Sequence, residues 1–203
     1  MIQGGSNKPK GHVDFKSHFY FQTPVWVAEA PMFLKNAIKV TDKYIKKADK
    51  LLKDKLKDEP KWKKDIGTFG LSKHSESFSN DPKVKDLVQF IGQRSYEFLD
   101  WSGFNLQNHS LHFTEFWVQE FSEKGGGHHS THAHWNQHVS GFYFLKCSDK
   151  TSYPVFHDPR PGSIMTKLPL KDDKQISMGT SQVHYKPKPG TMIIFPGYVP
   201  HEY

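Results

Sequence analysis

The sequence predicts an α+β, mainly β fold in which helices come first and a small antiparallel sandwich or barrel follows. Three observations predict it. Apolar residues recur at three-and-four spacing in the first half, the mark of amphipathic helices. From Leu111 onwards, short aromatic and β-branched runs alternate with clusters of Gly, Pro, Ser and Asp. A core drawn from 16 Phe, eight Tyr and five Trp suits the pleated, half-buried surface of a sheet. The 203 residues suit one domain, residues 1–203, with flanking helices over about 30–103 and the β core over about 111–203.

The opening stretch "MIQGGSNKPKGHVDFKSH" lacks the apolar segment of a signal peptide. No apolar run approaches the roughly 18 residues that cross a bilayer. The first helix is read from Leu34, Ala37, Ile38, Tyr44, Ile45, Ala48, Leu51, Leu52 and Leu56, with Thr41 filling the gap in the stripe. Most lysines of "KYIKKADKLLKDKLKDEPKWKK" (43–64) fall on the other face, so the net charge of +7 reads as a solvated helix face rather than a nucleic-acid surface. Its field still favours acidic partners. A Gly- and Ser-rich loop, "DIGTFGLSKHSESFSN", leads to Asp81-Pro82, an N-cap followed by proline at the first helical position. The second helix carries Val84, Leu87, Val88, Ile91 and Phe98 and fades near Ser102-Gly103. The single Cys147 excludes an internal disulfide and fits a reducing compartment, so a cytoplasmic location is expected.

The β half is read from "LHFTEFWVQEF", "SGFYFLKC", "SYPVFHD", "QVHYKP" and "GTMIIFPG". Just ahead of the second of these lies "HHSTHAHWNQH" (128–138), which holds five of the chain's 13 histidines. On a strand, His132 and His134 point to the same face, roughly 7 Å apart along the chain, within reach of one metal ion. Imidazole suits Fe, Zn, Cu and Ni, so the pair does not name the metal. By itself the pair reads equally well as solvated loop histidines. The later stretch "KPKPGTMIIFPGYVPHEY" adds a turn, an apolar strand from Met192 to Phe195 and then His201 across an open loop. Three ligands with open positions are the pattern of a catalytic rather than a structural metal.

The run "HAHWNQHVSGFYFL", followed by "VFHDPRPG" and "PGTMIIFPGYVPHEY", resembles the 2-oxoglutarate/Fe(II)-dependent oxygenase family of bacteria and marine phages. "FQTPVWV" and "SKHSESFSNDP" in the first half echo the same family. The resemblance implies a double-stranded β-helix (jelly roll, cupin-like) with iron at one mouth of the barrel, and Fe(II), 2-oxoglutarate and dioxygen as its reactants. It implies hydroxylation of a substrate that nothing in the sequence selects, release of succinate and CO2, and ascorbate as a reductant. A phage-encoded member would work in the host cytoplasm or on the virion, and a homodimer or a particle-associated partner fits the barrel type.

Carried over by position, the resemblance makes His132 the first ligand and His201 the distal one. The wider superfamily has H-x-D or H-x-E, and His134 stands at the carboxylate position. Either the site is three-histidine, or Asp158 in "HDPR" supplies a carboxylate instead of forming an Asp-Pro turn paired with Arg160. Tyr143 and Arg160 are the candidate contacts to 2-oxoglutarate, with Phe121 and Phe144 on neighbouring strand positions. His128 and His129 are expected in a loop that is solvated or guards the entrance, His138 in a turn, and His157 and His184 as ordinary strand residues. The family usually continues beyond the distal histidine into a strand whose arginine pairs with 2-oxoglutarate. Here Tyr203 stands two residues after His201 and Arg94 lies on a helix, so a missing last strand, a role for Arg160 or a lysine, or lost activity are the expectations. Two competing functions remain at this level. One is a cupin-like three-histidine dioxygenase without 2-oxoglutarate, and the other is a non-catalytic structural or assembly protein that keeps the barrel.

Overall fold

The computed structural model describes residues 16–59, 61, 72–122, 127–165 and 168–203. The opening stretch through residue 15, and parts of the lysine-rich run and of the loop before the second helix, lie outside them. Among the described residues the fold mixes α and β: two long helices, α1 (Leu34–Asp58) and α2 (Lys85–Trp101), a short α3 (Pro161–Met165), and eight strands. The strands are β1 (Trp26–Glu29), β2 (Lys73–His74), β3 (Gln119–Glu120), β4 (Val139–Tyr143), β5 (Val155–His157), β6 (Gln182–His184), β7 (Thr191–Pro196) and β8 (His201–Glu202).

Helix α1 buries Ala37, Val40, Thr41, Ile45 and Ala48, the three-and-four stripe expected of it. The Thr41 hydroxyl is accommodated in that apolar stripe by donating back to Ala37 O at 2.8 Å. Past Ala48 full cover ends, and Leu51, expected on the buried face, is 63% exposed. The second helix opens as anticipated. Asp81 caps a 3-10 turn, Pro82–Val84, by accepting from Lys83 N at 3.0 Å, and that turn leads directly into α2. The same carboxylate accepts from Tyr44 OH at 2.9 Å and from Lys43 Nζ, so one cap also ties α2 to α1. Lys43, then the Lys83 backbone N–H, hold its carboxyl down at about 2. Helix α2 stops where Gly103 takes a φ of 92°, with Phe104 N bonded to Leu99 O and Gly103 N to Asp100 O. That is a Schellman closure, which needs a residue without a Cβ penalty at this position.

Strand β7 positions everything else. It lies between β1 and β4 in an antiparallel sheet of order β1-β7-β4, and all six of its residues are buried. Met192 and Ile194 face Ala37, Leu87, Phe98 and Leu99 of the helices. Ile193 and Phe195 face Phe156, Val199, Phe142 and Phe144 on the other side. Both faces of the strand are therefore dry, which is why its sequence is a continuous apolar run rather than an alternating one. At Gly141 a Cβ would come within 2.5 Å of Ile193 O, so β4 can approach β7 only as glycine. A second antiparallel sheet, β6-β5-β8, packs Phe156 across from Ile193 and Phe195. A third pair, β2-β3, continues as Ser75 N to Val118 O (3.0 Å) and Phe78 N to Phe116 O (2.9 Å).

Three expectations change. The first half is not purely helical, since β1 precedes α1 and pairs with β7 from Trp26↔Ile194 to Glu29↔Thr191. "LHFTEFWVQEF" forms only two strand residues, because Phe116 and Val118 are drawn into the cluster around Phe78 and Val84. The H-x-H stretch is joined to β8 by a single bridge, His132↔His201, rather than by a full strand.

Candidate metal centre

The chain brings the two histidine-bearing segments together by backbone bonds. After β7 it turns sharply, Val199 N bonding Pro196 O at 3.0 Å, and returns as β8. The 129–134 segment runs antiparallel beside it: His132 N and His201 N each bond the other residue's carbonyl at 2.9 Å, and His134 N bonds Gly197 O at 2.9 Å. Gly197 N closes this zipper on His138 O at 3.1 Å. A Cβ at Gly197 would lie 2.4 Å from Gln137 O, so the turn needs glycine for close approach. Alternation then sends His132, His134 and His201 to one side, while Thr131 and Glu202 bond each other on the other face.

The three rings converge. Their centroids lie 4.3 Å (His132–His201), 5.2 Å (His132–His134) and 5.2 Å (His134–His201) apart. One nitrogen from each lies within 4.8 Å of the others, close enough to share one metal ion. His201 Nδ1 lies 2.9 Å from Val199 O and His132 Nδ1 2.8 Å from Ser130 O. A carbonyl only accepts, so both Nδ1 atoms carry the proton and both Nε2 atoms keep a free lone pair. Burial pushes His201 down to about 4, and burial also lowers His134. Both rings are neutral at pH 7, the form a metal needs. The donor set fits a divalent ion of the kind that imidazole takes, with His132 and His134 half-buried on the accessible side and His201 1% exposed beneath.

Aromatic rings make the surroundings. Phe195 lies 4.8 Å and Phe142 5.5 Å from His201, both edge-on, which keeps water from that side. His129 stacks on His132 at 4.2 Å, so it packs against the centre instead of standing in solvent. Tyr203 shares the face of His201 two residues on. Its hydroxyl donates to Gln119 Oε1 at 3.1 Å and lies 3.3 Å from His129 Nδ1, and burial pushes it up to about 12. Phe121 packs on its ring at 5.4 Å.

The remaining candidates lie elsewhere. Tyr143 points to the helix side of its sheet and donates to Ala30 O at 2.7 Å, so it is not brought to the histidines; Phe142, one residue earlier, is. Phe144 belongs to the apolar cluster between the sheets. Asp158 holds Arg160: its Oδ2 takes Nη2 at 2.6 Å and its Oδ1 takes Nε at 2.9 Å, the Asp-Pro turn arrangement. Among the described residues the group able to share an ion is His132, His134 and His201, without Asp158. Arg94 pairs with Glu97 at 2.6 Å. His157 is half-buried, with Nε2 3.3 Å from Glu202 Oε1, and His184 stacks on Tyr153 at 6.3 Å. His128 and His138 are exposed. Tyr203, Gln119 and the stacking of His129 were not anticipated. Alternation from His201 was the available signal for Tyr203, and none pointed to Gln119.

Residues 115–203 match the model of a family described as "Putative 2OG-Fe(II) oxygenase". That span holds all three histidines, the β6-β5-β8 sheet and strands β4 and β7 of the other sheet, while β1, α1 and α2 precede it. No curated protein matches the chain. Among the described residues no helix is long and apolar enough to cross a membrane.

Proposed function

We propose that the protein is an Fe(II)- and 2-oxoglutarate-dependent dioxygenase with its metal on His132, His134 and His201. The observation that carries this reading is the convergence of three imidazoles, two of them with defined tautomers, inside the span that matches the oxygenase family. The two facing sheets, with β7 central to one and β8 delivering His201 from the other, support a double-stranded β-helix. Met192 and Ile194 on the helices give one core shared by both halves, which supports a single oxygenase-like domain.

When bound, Fe(II) with 2-oxoglutarate and dioxygen supplies an oxidant that takes hydrogen from an unactivated C–H bond, with release of succinate and CO2. The chain's own residues do the rest. The Ser130 and Val199 carbonyls engage Nδ1 of His132 and His201, which leaves Nε2 of each ring as the atom that would hold the ion. Phe142 and Phe195 exclude water beneath His201. The protonated Tyr203 hydroxyl, beside Gln119 and His129, supplies the polar contacts on the inner face that Tyr143 does not. Ascorbate is the reductant we expect to keep the metal ferrous through turnover.

Anaerobic addition of Fe(II) to metal-free protein, with and without 2-oxoglutarate, tests the reading by visible absorption. A weak band that needs both is the expected result. Bound iron without that band would overturn it in favour of a three-histidine dioxygenase of the cupin type. No bound iron would leave a structural or assembly protein.

A further inference from the structure

The three ligand rings are not held alike. His201 is buried against Phe195 and Phe142, whereas His132 lies half-buried on the accessible side. What covers His132 there is a fourth imidazole. His129 stacks on it with ring centroids 4.2 Å apart and planes 24° from parallel. Among the described residues the group able to share an ion does not include His129, so His129 meets the centre through the His132 ring.

His129 is itself fixed from behind. Its backbone pairs with Tyr203, His129 N donating to Tyr203 O and Tyr203 N to His129 O at 3.3 Å. The Tyr203 hydroxyl gives its one proton to Gln119 Oε1 at 3.1 Å, so its oxygen is left to accept from His129 Nδ1 at 3.3 Å. Gln119 donates in turn from Nε2 to Ser72 Oγ at 2.9 Å, and its strand β3 is paired with β2. Lys73 of β2 joins Glu120 at 2.8 Å and Asp49 of α1 at 3.5 Å. The approach to His129 is clamped as well. Ser152 Oγ donates to Gly127 O at 2.7 Å, and a Cβ at Gly127 would lie 2.5 Å from Phe121 Cδ1, whose ring packs on Tyr203. A side chain gripped at its backbone, at a ring nitrogen and along its approach presents a single ring plane to its neighbour.

We propose that His129 is a positioning residue for the first metal ligand: held by Tyr203, its ring fixes the plane of His132 and so raises the affinity of the centre for a divalent cation. The inference rests on the proposed metal site. It also joins the two halves of the chain, because Ser72 and β2 precede the span that matches the oxygenase family and reach the metal centre through Gln119, Tyr203 and His129. Groups that orient a ligand from outside are typically worth about ten- to a hundredfold in metal affinity, and a stacked ring belongs at the low end of that range.

The test is a Co(II) titration of metal-free wild type, His129→Ala, His129→Phe and Tyr203→Phe, followed by visible absorption. We expect His129→Ala to bind about tenfold more weakly with its absorption band in the wild-type position, because the ligands are unchanged. His129→Phe keeps a ring against His132 without a nitrogen to offer, and it should return to within about threefold of wild type. Tyr203→Phe keeps the ring behind His129 and removes only the hydroxyl, so it should weaken binding less than His129→Ala does. Wild-type affinity in His129→Ala overturns the proposal. So does a loss in His129→Phe as large as in His129→Ala, and a displaced band there would put a His129 nitrogen on the ion. Should His129→Ala not fold, Tyr203→Phe decides: weaker binding than wild type is expected, and equal affinity overturns the proposal. If wild type binds no Co(II) while remaining folded, the metal site falls and this inference with it.

Discussion

Gly197→Ala tests the zipper that joins the two histidine segments without altering any ligand. The added Cβ would sit 2.4 Å from Gln137 O and 3.0 Å from Gln137 C, both backbone atoms that no side-chain rotation can move aside. The 129–138 segment must shift away, and two bonds go with it, His134 N to Gly197 O at 2.9 Å and Gly197 N to His138 O at 3.1 Å. At about 1 kcal/mol for each bond the loss is about 2 kcal/mol. For a chain of this size that corresponds to a melting temperature lower by roughly 4–8 °C. Because His134 moves relative to His201, Co(II) affinity should fall on the order of tenfold. Calorimetry of the metal-free protein and a Co(II) titration measure the two effects. Gly92→Ala is the opposite control: its Cβ would meet Phe113 Cε2 at an ordinary 3.8 Å in α2. It should stabilise by about 0.5–1 kcal/mol and leave Co(II) affinity unchanged. A Gly197→Ala protein with wild-type melting and wild-type affinity would show that the turn does not set the distance between the ligands.

Three further outcomes are expected. His132→Ala and His201→Ala should each abolish stoichiometric binding of one divalent ion, while His138→Ala, whose side chain is exposed, should leave it intact; equal affinities in all three would refute the ligand set. Asp158→Asn should keep full metal content in elemental analysis, because the carboxylate serves Arg160, and loss of metal would place it on the ion instead. The third concerns acid. The Asp81 carboxyl is lowered from an ordinary 3.8 to about 2, so the stability it contributes is present above pH 3.8 and is lost as the pH falls towards 2. Urea midpoints of wild type and Asp81→Asn should therefore differ at pH 7 and converge near pH 2; a gap that stayed constant would mean the carboxylate charge is not what ties α1 to the turn before α2.

What the sequence determined by itself is what depends on neighbours in the chain. The face of α1 through Ala48, the Asp81-Pro82 start, the Gly103 stop, the buried run of β7 and the inward pairing of His132 with His134 all follow from helical or strand periodicity and from backbone restrictions. These act over a few residues and need no partner to be named. The tertiary structure decided which face of each strand meets the histidines. Alternation places Phe142 and Tyr143 on opposite sides of β4, but both sides of that sheet are covered, one by helices and one by the second sheet, so polarity does not tell them apart. Tyr143 goes to the helix side because Ala30, 113 positions away, offers its carbonyl there, and Phe142 is left beside His201. The exposure of Leu51, the pairing of β1 with β7 and the contact of Tyr203 with Gln119 have the same origin. Each is set by which distant surface is near enough to cover or bond a group, and that information is carried by the packed whole rather than by any stretch of the chain.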